Sequence, residues 1–157
     1  MITLEPLSEK NFYAVTELEV AFDQAGFVAP NVFSIAESKI FGYLQPRVVC
    51  RRKKAVGFAL YGQDPESQRF YIVRLMIGAS FQGQGLGREA VRLLVAEILK
   101  TNKGACSVYL SLVPGNERAK RLYEGMGFEE TGDVDGDGEI VYRLDEEKAA
   151  QLDRALI

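Results

Sequence analysis

The centre of the chain carries the run Gln82-Gly83-Gln84-Gly85-Leu86-Gly87-Arg88, in which glycine alternates with other residues. The residues before it, 70–77, are rich in aromatic and aliphatic side chains and predict a strand. The residues after it have helical apolar spacing from about Leu86. Glycines in such a turn leave backbone N–H groups free to converge at the helix N-terminus, where the helix dipole places about half a positive charge. The run therefore predicts a site for an anion.

Two common phosphate-binding motifs do not fit this run. The P-loop requires Lys-Ser/Thr after its last glycine, whereas Gly87 is followed by Arg88 and Glu89. The dinucleotide fingerprint requires G-x-G-x-x-G, and here the third glycine comes one residue early. If the run binds no ligand, the alternative interpretation is a glycine-rich turn that only joins a strand to a helix.

Composition indicates one globular domain, residues 1–157. The chain has 47% hydrophobic and 26% charged residues, and its length is too short for two ordinary domains. A net charge of −3 does not favour nucleic acid or an anionic membrane as a partner. No apolar run reaches the roughly 18 residues of a membrane span, and the N-terminus lacks the pattern of a signal peptide, so we expect a cytoplasmic protein.

The chain contains no histidine and two cysteines, Cys50 and Cys106. Neither cysteine has the spacing of a metal site, so we expect two unpaired thiols and no metal ion. Without histidine, proton transfer must use a carboxylate, a tyrosine, water or the backbone.

The patterns before the glycine run predict one strand, two helices and three strands. The first strand is expected over residues 2–7, followed by a helix that Ser8 caps and that ends at about Glu19. Pro30 disfavours a helix through the irregular segment that follows, so the second helix is expected from about Ser34. Runs 47–52 and 56–61 read as a hairpin joined by residues 53–55, and strand 70–77 follows.

The patterns after the run predict a helix, a strand, a helix and two strands. The strand over residues 108–113 is expected to lie parallel to strand 70–77, because a helix separates them in the chain. A helix from Asn116 and two strands, the second over residues 139–144, complete the sheet. Asp145 to Ile157 reads as a charged amphipathic tail. The fold class is therefore α+β, with a mixed, mostly antiparallel sheet of about seven strands flanked by helices.

Two motifs resemble those of the GNAT superfamily of acetyltransferases. Gln82, Gly85 and Gly87 match its motif A, Gln/Arg-x-x-Gly-x-Gly/Ala. The segment 116–128 matches its motif B, N-x-x-A-x-x-L-Y-E-x-x-G-F, at every specified position. The element order βααβββαβαββ is also that of the GNAT fold.

This resemblance implies an N-acetyltransferase that uses acetyl coenzyme A and a primary amine, with direct transfer and no acyl-enzyme. The turn would bind the pyrophosphate, and strand 70–77 would diverge from strand 108–113 to expose main-chain groups to the pantetheine arm. Tyr123 would be the general acid for the departing thiolate; the alternative is a core aromatic residue. The residues expected to contact the coenzyme are Met76, Ile77, Gln82, Gly83, Gln84, Gly85, Leu86, Gly87, Arg88, Asn116, Ala119 and Tyr123.

A narrower resemblance joins segments 24–37 and 74–77 to the bacterial spermine/spermidine (diamine) acetyltransferase branch. It implies a polyamine substrate such as spermidine or spermine. The residues expected at the substrate are Asp23, Phe27, Asn31 and Glu37, with Glu37 as the first candidate and Asp23 as the second for the catalytic proton acceptor. Gly78 departs from the branch, because many members carry an acidic residue at that position.

Other interpretations stay open. The acceptor could be a protein N-terminus, an aminoglycoside or another small amine, and the chain could be an acyl-CoA-binding regulatory module without chemistry; a homodimer is also compatible with the resemblance. The acidic turn 132–138 begins like an EF-hand, but Leu144 stands where that loop needs glutamate, so we expect a solvated hairpin. Its carboxylates would attract an extended cation.

Overall fold

A seven-stranded sheet with helices on both faces forms the protein in the computed structural model, which describes residues 1–155. The strands are β1 Thr3–Pro6, β2 Leu44–Arg51, β3 Lys54–Gln63, β4 Phe70–Ile77, β5 Val108–Leu112, β6 Glu129–Val134 and β7 Ile140–Leu144. The helices are α1 Phe12–Thr16, α2 Asn31–Ile40, α3 Leu86–Asn102, α4 Glu117–Glu124 and α5 Glu146–Arg154. Short 3₁₀ turns occupy Phe22–Gln24 and Ala79–Phe81. The predicted order βααβββαβαββ is confirmed, with a C-terminal helix in the predicted tail; residues 156–157 of that tail lie outside the described part.

The strands lie in the order β1-β2-β3-β4-β5-β7-β6. Every neighbouring pair is antiparallel except β4 and β5, which are parallel. Helix α3 provides the crossover that a parallel pair requires. The expected mixed, mostly antiparallel sheet is therefore confirmed.

Strands β4 and β5 separate toward their C-terminal ends. They pair only at Phe70 with Val108 and at Tyr71 with Tyr109, although both strands continue further. Just beyond this pairing, β4 has one extra residue, Val73, relative to β3, and a bulge of this kind increases the local twist. The result is a wedge in which main-chain groups of β4 have no partner on β5. The divergence that the family resemblance implied is thus present.

Apolar side chains cover both faces of the sheet. The stripe on α3, which includes Ala90, Val91, Leu94 and Ile98, is fully buried, and most of it packs against β4, β5 and β7. The other face packs against Val15 of α1 and neighbouring apolar residues. Burial of each large aliphatic side chain contributes about 1.5–3 kcal/mol. This packing fixes the position of the wedge between two rigid layers.

The predicted bounds of the first two helices were wrong. Helix α1 begins at Phe12, because Ser8 does not cap it and instead donates its N–H to Asn11 Oδ1 at 2.9 Å. Helix α2 begins at Asn31, directly after Pro30 and three residues earlier than expected. Proline breaks a helix interior but is tolerated at a helix start, where its missing N–H has no intrahelical partner. Pro30 marks the beginning of α2.

Two hairpin turns also differ from the prediction. The β2–β3 turn consists of Arg52 and Lys53, which both have positive φ, 50° and 65°, as a two-residue hairpin loop requires. Strand β6 extends to Val134, so the acidic turn is shorter than expected and spans residues 135–139. No helix within residues 1–155 has both the length and the apolar character needed to cross a membrane.

Candidate active site

The glycine run forms an open turn before α3. Gly83 and Gly85 have φ of 76° and 77°, in the left-handed region that glycine occupies without strain, and Gly85 is the N-cap of α3. The N–H groups of residues 83–88 have no hydrogen-bond partner among residues 1–155. Free N–H groups at a helix N-terminus suit a phosphate, so this turn fits the pyrophosphate of acetyl coenzyme A. Gly87 is the second residue of α3. A Cβ at this position would lie 3.5 Å from Leu122 Cδ2, which is an ordinary van der Waals distance.

Gln82 connects the turn to two other elements. Its Nε2 donates to the carbonyl of Ile77 at 2.9 Å, which fixes the turn to the end of β4. The same nitrogen donates to Gln24 Oε1 at 2.9 Å, and Gln24 Nε2 donates back to Gln82 Oε1 at 3.2 Å. Gln84 points elsewhere, because its Oε1 accepts from Arg51 Nη1 at 2.6 Å.

A cavity of about 390 Å³, the coenzyme cavity, lies between this turn, the end of β4, α4 and the segment 20–28. All of the predicted coenzyme residues except Gln84 line it. Arg88 and Arg118 supply positive charge beside the turn, and apolar side chains form most of the remaining walls. The predicted sites did not include seven of the lining residues, most of which lie within or beside the quoted segments at positions that the motifs do not specify: Val20, Gln24, Val28, Leu75, Phe81, Arg118 and Leu122.

Helix α4 places Tyr123 on the wall of the coenzyme cavity. Asn116 is the N-cap, and its Oδ1 accepts the N–H of Ala119 at 3.3 Å. Tyr123 lies one turn beyond Ala119, and its ring packs edge-on against Phe128 with centroids 5.5 Å apart. The Tyr123 side chain is 7% exposed, and its hydroxyl makes no hydrogen bond to any described residue.

Burial raises the pKa of the Tyr123 hydroxyl. Desolvation disfavours the phenolate, so the group stays protonated at neutral pH. A protonated hydroxyl without an internal partner can donate to an atom that enters the cavity. This is the property that a general acid needs.

A second cavity of about 490 Å³, the acceptor cavity, lies in the wedge between β4 and β5. Residues 25–30 cover one side, and the β6–β7 turn contributes Asp137 and Glu139 on another. These are the only carboxylates that line either cavity in the described part of the chain. Six residues line both cavities, so the two spaces meet beside α4: Phe27, Val28, Leu75, Asn116, Ala119 and Tyr123.

Only one of the four predicted substrate residues, Phe27, lies at these cavities. Asp23 is exposed and lines neither. Asn31 is buried in α2 and donates its Nδ2 to the carbonyl of Val15 at 2.8 Å. Glu37 also lines neither cavity, and its Oε1 accepts from Arg74 Nη2 at 3.3 Å.

The end of β4 cannot supply an acid in place of these residues. Gly78 carries no side chain, and a Cβ there would lie 2.9 Å from Leu18 Cδ2, so the Leu18 side chain would have to shift to accommodate an acidic residue. The two cysteines are unpaired, as predicted, and line neither cavity. Burial raises the pKa of Cys50 to about 11 and also raises that of Cys106, which disfavours a nucleophilic thiolate. Within residues 1–155 there is no cluster of three potential metal ligands.

Solved structures of other proteins share this fold. The solved structure of a spermidine N-acetyltransferase from Vibrio cholerae in complex with CoA and spermine superposes with a TM-score of 0.74 at 17% identity, over 95% of this chain and 98% of that one. An aminoglycoside acetyltransferase in complex with coenzyme A and kanamycin superposes with a TM-score of 0.78 at 20% identity, over 96% and 98%. Both show the same fold.

Sequence similarity extends over most of the chain. The Spermine/spermidine N(1)-acetyltransferase of Bacillus subtilis (strain 168) is 30% identical over 149 residues, which are 89% of this chain and 95% of that protein. The Aminoglycoside N(6')-acetyltransferase type 1 of Klebsiella pneumoniae is 37% identical over 86 residues, 54% of this chain and 42% of that protein. The family model described as Acetyltransferase (GNAT) family matches residues 11–128. With both motifs, the fold and this match in agreement, the chain belongs to the GNAT family of N-acetyltransferases, which use acetyl coenzyme A.

Proposed function

We propose that this protein acetylates a primary amine of a polyamine such as spermidine or spermine. The observation that carries the proposal is the meeting of two unlike cavities at Tyr123. One is lined by free N–H groups, arginines and apolar side chains, which suit a coenzyme. The other is lined by Asp137 and Glu139, which suit a cation.

The residues of the site would act in a simple sequence. An alkylammonium with a pKa near 10.4 is neutral in only about one molecule in a few thousand at pH 7, so the site must first take a proton from the acceptor. An unpaired N–H of β4 near Met76 or Ile77 would then polarise the acetyl carbonyl, an interaction commonly worth about 3 kcal/mol. Tyr123 would give its proton to the sulfur as the C–N bond forms and the C–S bond breaks.

Two findings favour a polyamine over other amines. The acceptor cavity presents carboxylates at separate positions, which matches a chain with several ammonium groups. A relative that is similar over most of the chain is the Bacillus enzyme named for spermine and spermidine. An aminoglycoside also carries several ammonium groups, and it is the second candidate because the relative named for it is similar over about half of this chain.

A panel of amines tests the proposal. Spermine, spermidine, kanamycin, a monoamine and a neutral peptide N-terminus would be compared with acetyl coenzyme A, and release of the free thiol would be followed. We expect the highest kcat/KM with a polyamine. A preference for kanamycin would support the second candidate. Coenzyme binding without turnover of any amine would instead indicate a regulatory module.

A further inference from the structure

We propose that Glu139, which Ser111 holds in place on the wall of the acceptor cavity, contacts the reacting ammonium group and receives its first proton. The inference deepens the proposed function and rests on it. It assigns the role of proton acceptor to a residue of the β6–β7 turn, whereas the sequence analysis favoured Glu37 of α2.

The side chain of Glu139 is fixed and still has an oxygen available. Its Oε2 accepts from Ser111 Oγ on β5 at 2.9 Å. Its Oε1 has no hydrogen-bond or ion-pair partner among residues 1–155. Glu139 is half-buried and lines the acceptor cavity, so its carboxylate is partly shielded from solvent.

The turn that carries Glu139 is closed by its own hydrogen bonds. Asp135 Oδ1 accepts the N–H of Asp137 and the N–H of Glu139, each at 2.9 Å. The N–H of Asp135 donates to the carbonyl of Glu139 at 2.9 Å. Asp135 therefore uses its carboxylate inside the turn and positions the two residues that line the cavity.

Tyr123 gives the acceptor cavity a second polar group beside the carboxylates. Its side chain is more than nine-tenths buried, its hydroxyl has no partner in the described residues, and it lines the same cavity as Glu139. The hydroxyl oxygen is not enclosed by protein, so it is free to contact a molecule that enters the cavity. An acceptor nitrogen between Tyr123 and Glu139 would lie where the coenzyme cavity opens into the wedge.

The other charged groups of the cavity favour the same placement. Arg74 of β4 lines it too, and its guanidinium pairs with Glu37 and donates to the carbonyl of Val73 at 3.0 Å. The charge of Arg74 is thus already compensated by Glu37, whereas Asp137 and Glu139 make no ion pair among the described residues and attract a cation. Asp137 is exposed, so it suits a second ammonium of the substrate rather than the reacting one.

The proton count is consistent with this assignment. The acceptor nitrogen loses two protons on the way from ammonium to amide. The first passes to Glu139 and then to solvent, which frees the lone pair for attack on the carbonyl carbon. The second restores the proton that Tyr123 gives to the departing sulfur, so one proton is released per turnover.

The test compares Glu139→Gln with two other carboxylate variants. The substituted amide keeps the side-chain length and the contact with Ser111 but cannot take a proton, so kcat/KM for spermidine at pH 7 should fall about tenfold or more. Asp137→Asn should raise KM with little effect on kcat. Glu66→Gln removes the same charge from the exposed β3–β4 turn and should leave kcat/KM within about twofold.

A change of substrate separates proton transfer from a structural effect. A fluorinated spermidine analogue whose terminal amine is already neutral at pH 7 does not need Glu139, so the defect of Glu139→Gln should shrink to less than about threefold. The defect with spermidine should also shrink as the pH is raised to about 9.5, because more of the amine is neutral. Thermal melts of each variant verify folding.

Three results would overturn the inference. The first is full kcat/KM in Glu139→Gln. The second is a loss of kcat/KM in Glu139→Gln that is as large with the neutral analogue as with spermidine. The third is a loss of kcat/KM that higher pH restores in Glu37→Gln but not in Glu139→Gln. If the wild-type protein acetylates no amine, the proposed function itself fails. The wild-type measurement therefore distinguishes the two failures.

Discussion

The chemistry of Tyr123 depends on its surroundings more than on its residue type. The Tyr123 ring packs against Phe128 and is largely buried, and the residue lines both cavities. A core tyrosine normally satisfies its hydroxyl with an internal partner, and Tyr123 has none among the described residues. This favours the general acid over the core aromatic that the sequence left as an alternative.

The variant Tyr123→Phe tests this role. It removes one oxygen and keeps the ring packing, so folding and the Kd for acetyl coenzyme A should stay nearly unchanged. General acid catalysis typically contributes about 10²–10⁴ in rate, and we expect kcat to fall at least about tenfold, at the low end because a thiolate is a tolerable leaving group. Full kcat in this variant, with the chemical step shown to limit the rate, would return Tyr123 to a structural role.

The pH dependence of kcat should show no contribution from Tyr123 ionisation. The acid form of tyrosine is the neutral, protonated form, which burial favours, so the pKa of Tyr123 is raised. The acid is fully present below this pKa and is lost only when the pH rises through it. In a pH–rate profile measured up to about pH 9.5, kcat should therefore show no decline caused by ionisation of Tyr123. A decline at alkaline pH that is present in the wild type and absent in Tyr123→Phe would contradict this.

The backbone of Gly85 can be tested separately from the chemistry. Valine strongly disfavours a φ of 77°, so Gly85→Val should rotate the N–H groups of the turn away from the pyrophosphate. Loss of one charge-assisted hydrogen bond costs about 1.5–3 kcal/mol, so calorimetry should show coenzyme affinity reduced by about tenfold or more. The control is Gly42→Val, because Gly42 has open space around its Cβ position and lines neither cavity. A folded Gly85→Val protein with unchanged affinity would contradict the anion-site assignment.

At the scale of elements, α4 carries both a structural cap and the proposed general acid. The helix is short, and Asn116 serves as its N-cap while lining both cavities. A short helix depends strongly on its cap and on packing, because its own hydrogen bonds are few. The residue that starts the helix therefore also fixes the direction in which Tyr123 points.

Replacement of Asn116 by alanine should lower both stability and coenzyme affinity. The lost bond to the N–H of Ala119 costs about 1 kcal/mol, which corresponds to a fall in Tm of about 2–4 °C for a domain of this size. Asp145→Ala is the matched control, since Asp145 caps α5 through the N–H of Lys148 at 2.9 Å but lines neither cavity. It should lower Tm similarly and leave the Kd for acetyl coenzyme A unchanged. Equal effects on Kd in both variants would show that Asn116 acts only through stability.

The sequence predicted elements well where the signal is local. The glycine run and the segment from Asn116 to Phe128 each combine a cap or turn signal with helical spacing, and both lie where the pattern predicts. The predicted start of α2 was wrong because Pro30 both disfavours a helix interior and favours a helix start. The position of Glu139 at the acceptor cavity could not be predicted, because it depends on β7 pairing with β5 and on the divergence of β4 from β5.

At the scale of the whole molecule, charge is distributed to suit two oppositely charged substrates. The net charge is −3, yet the coenzyme cavity has arginines at its rim and the acceptor cavity has carboxylates. Tyr123 lies where the two meet, and the wedge between β4 and β5 is the opening that joins them. The proposed cationic acceptor would therefore be attracted both by the overall field and by the carboxylates of the acceptor cavity.

The steady-state KM for a polyamine should consequently rise with ionic strength. Asp137 is exposed, so salt screens its charge. The Debye length falls from about 10 Å at 0.1 M salt to about 3 Å at 1 M. We expect the KM for spermidine to increase several-fold over this range, with kcat at saturation little changed because the bound complex is the same. A monoamine of similar length lacks the second ammonium group, so its KM should rise less and provides the control. A KM for spermidine that does not depend on salt, or that changes only as much as that of the monoamine, would show that the carboxylates of the β6–β7 turn do not select a multiply charged substrate.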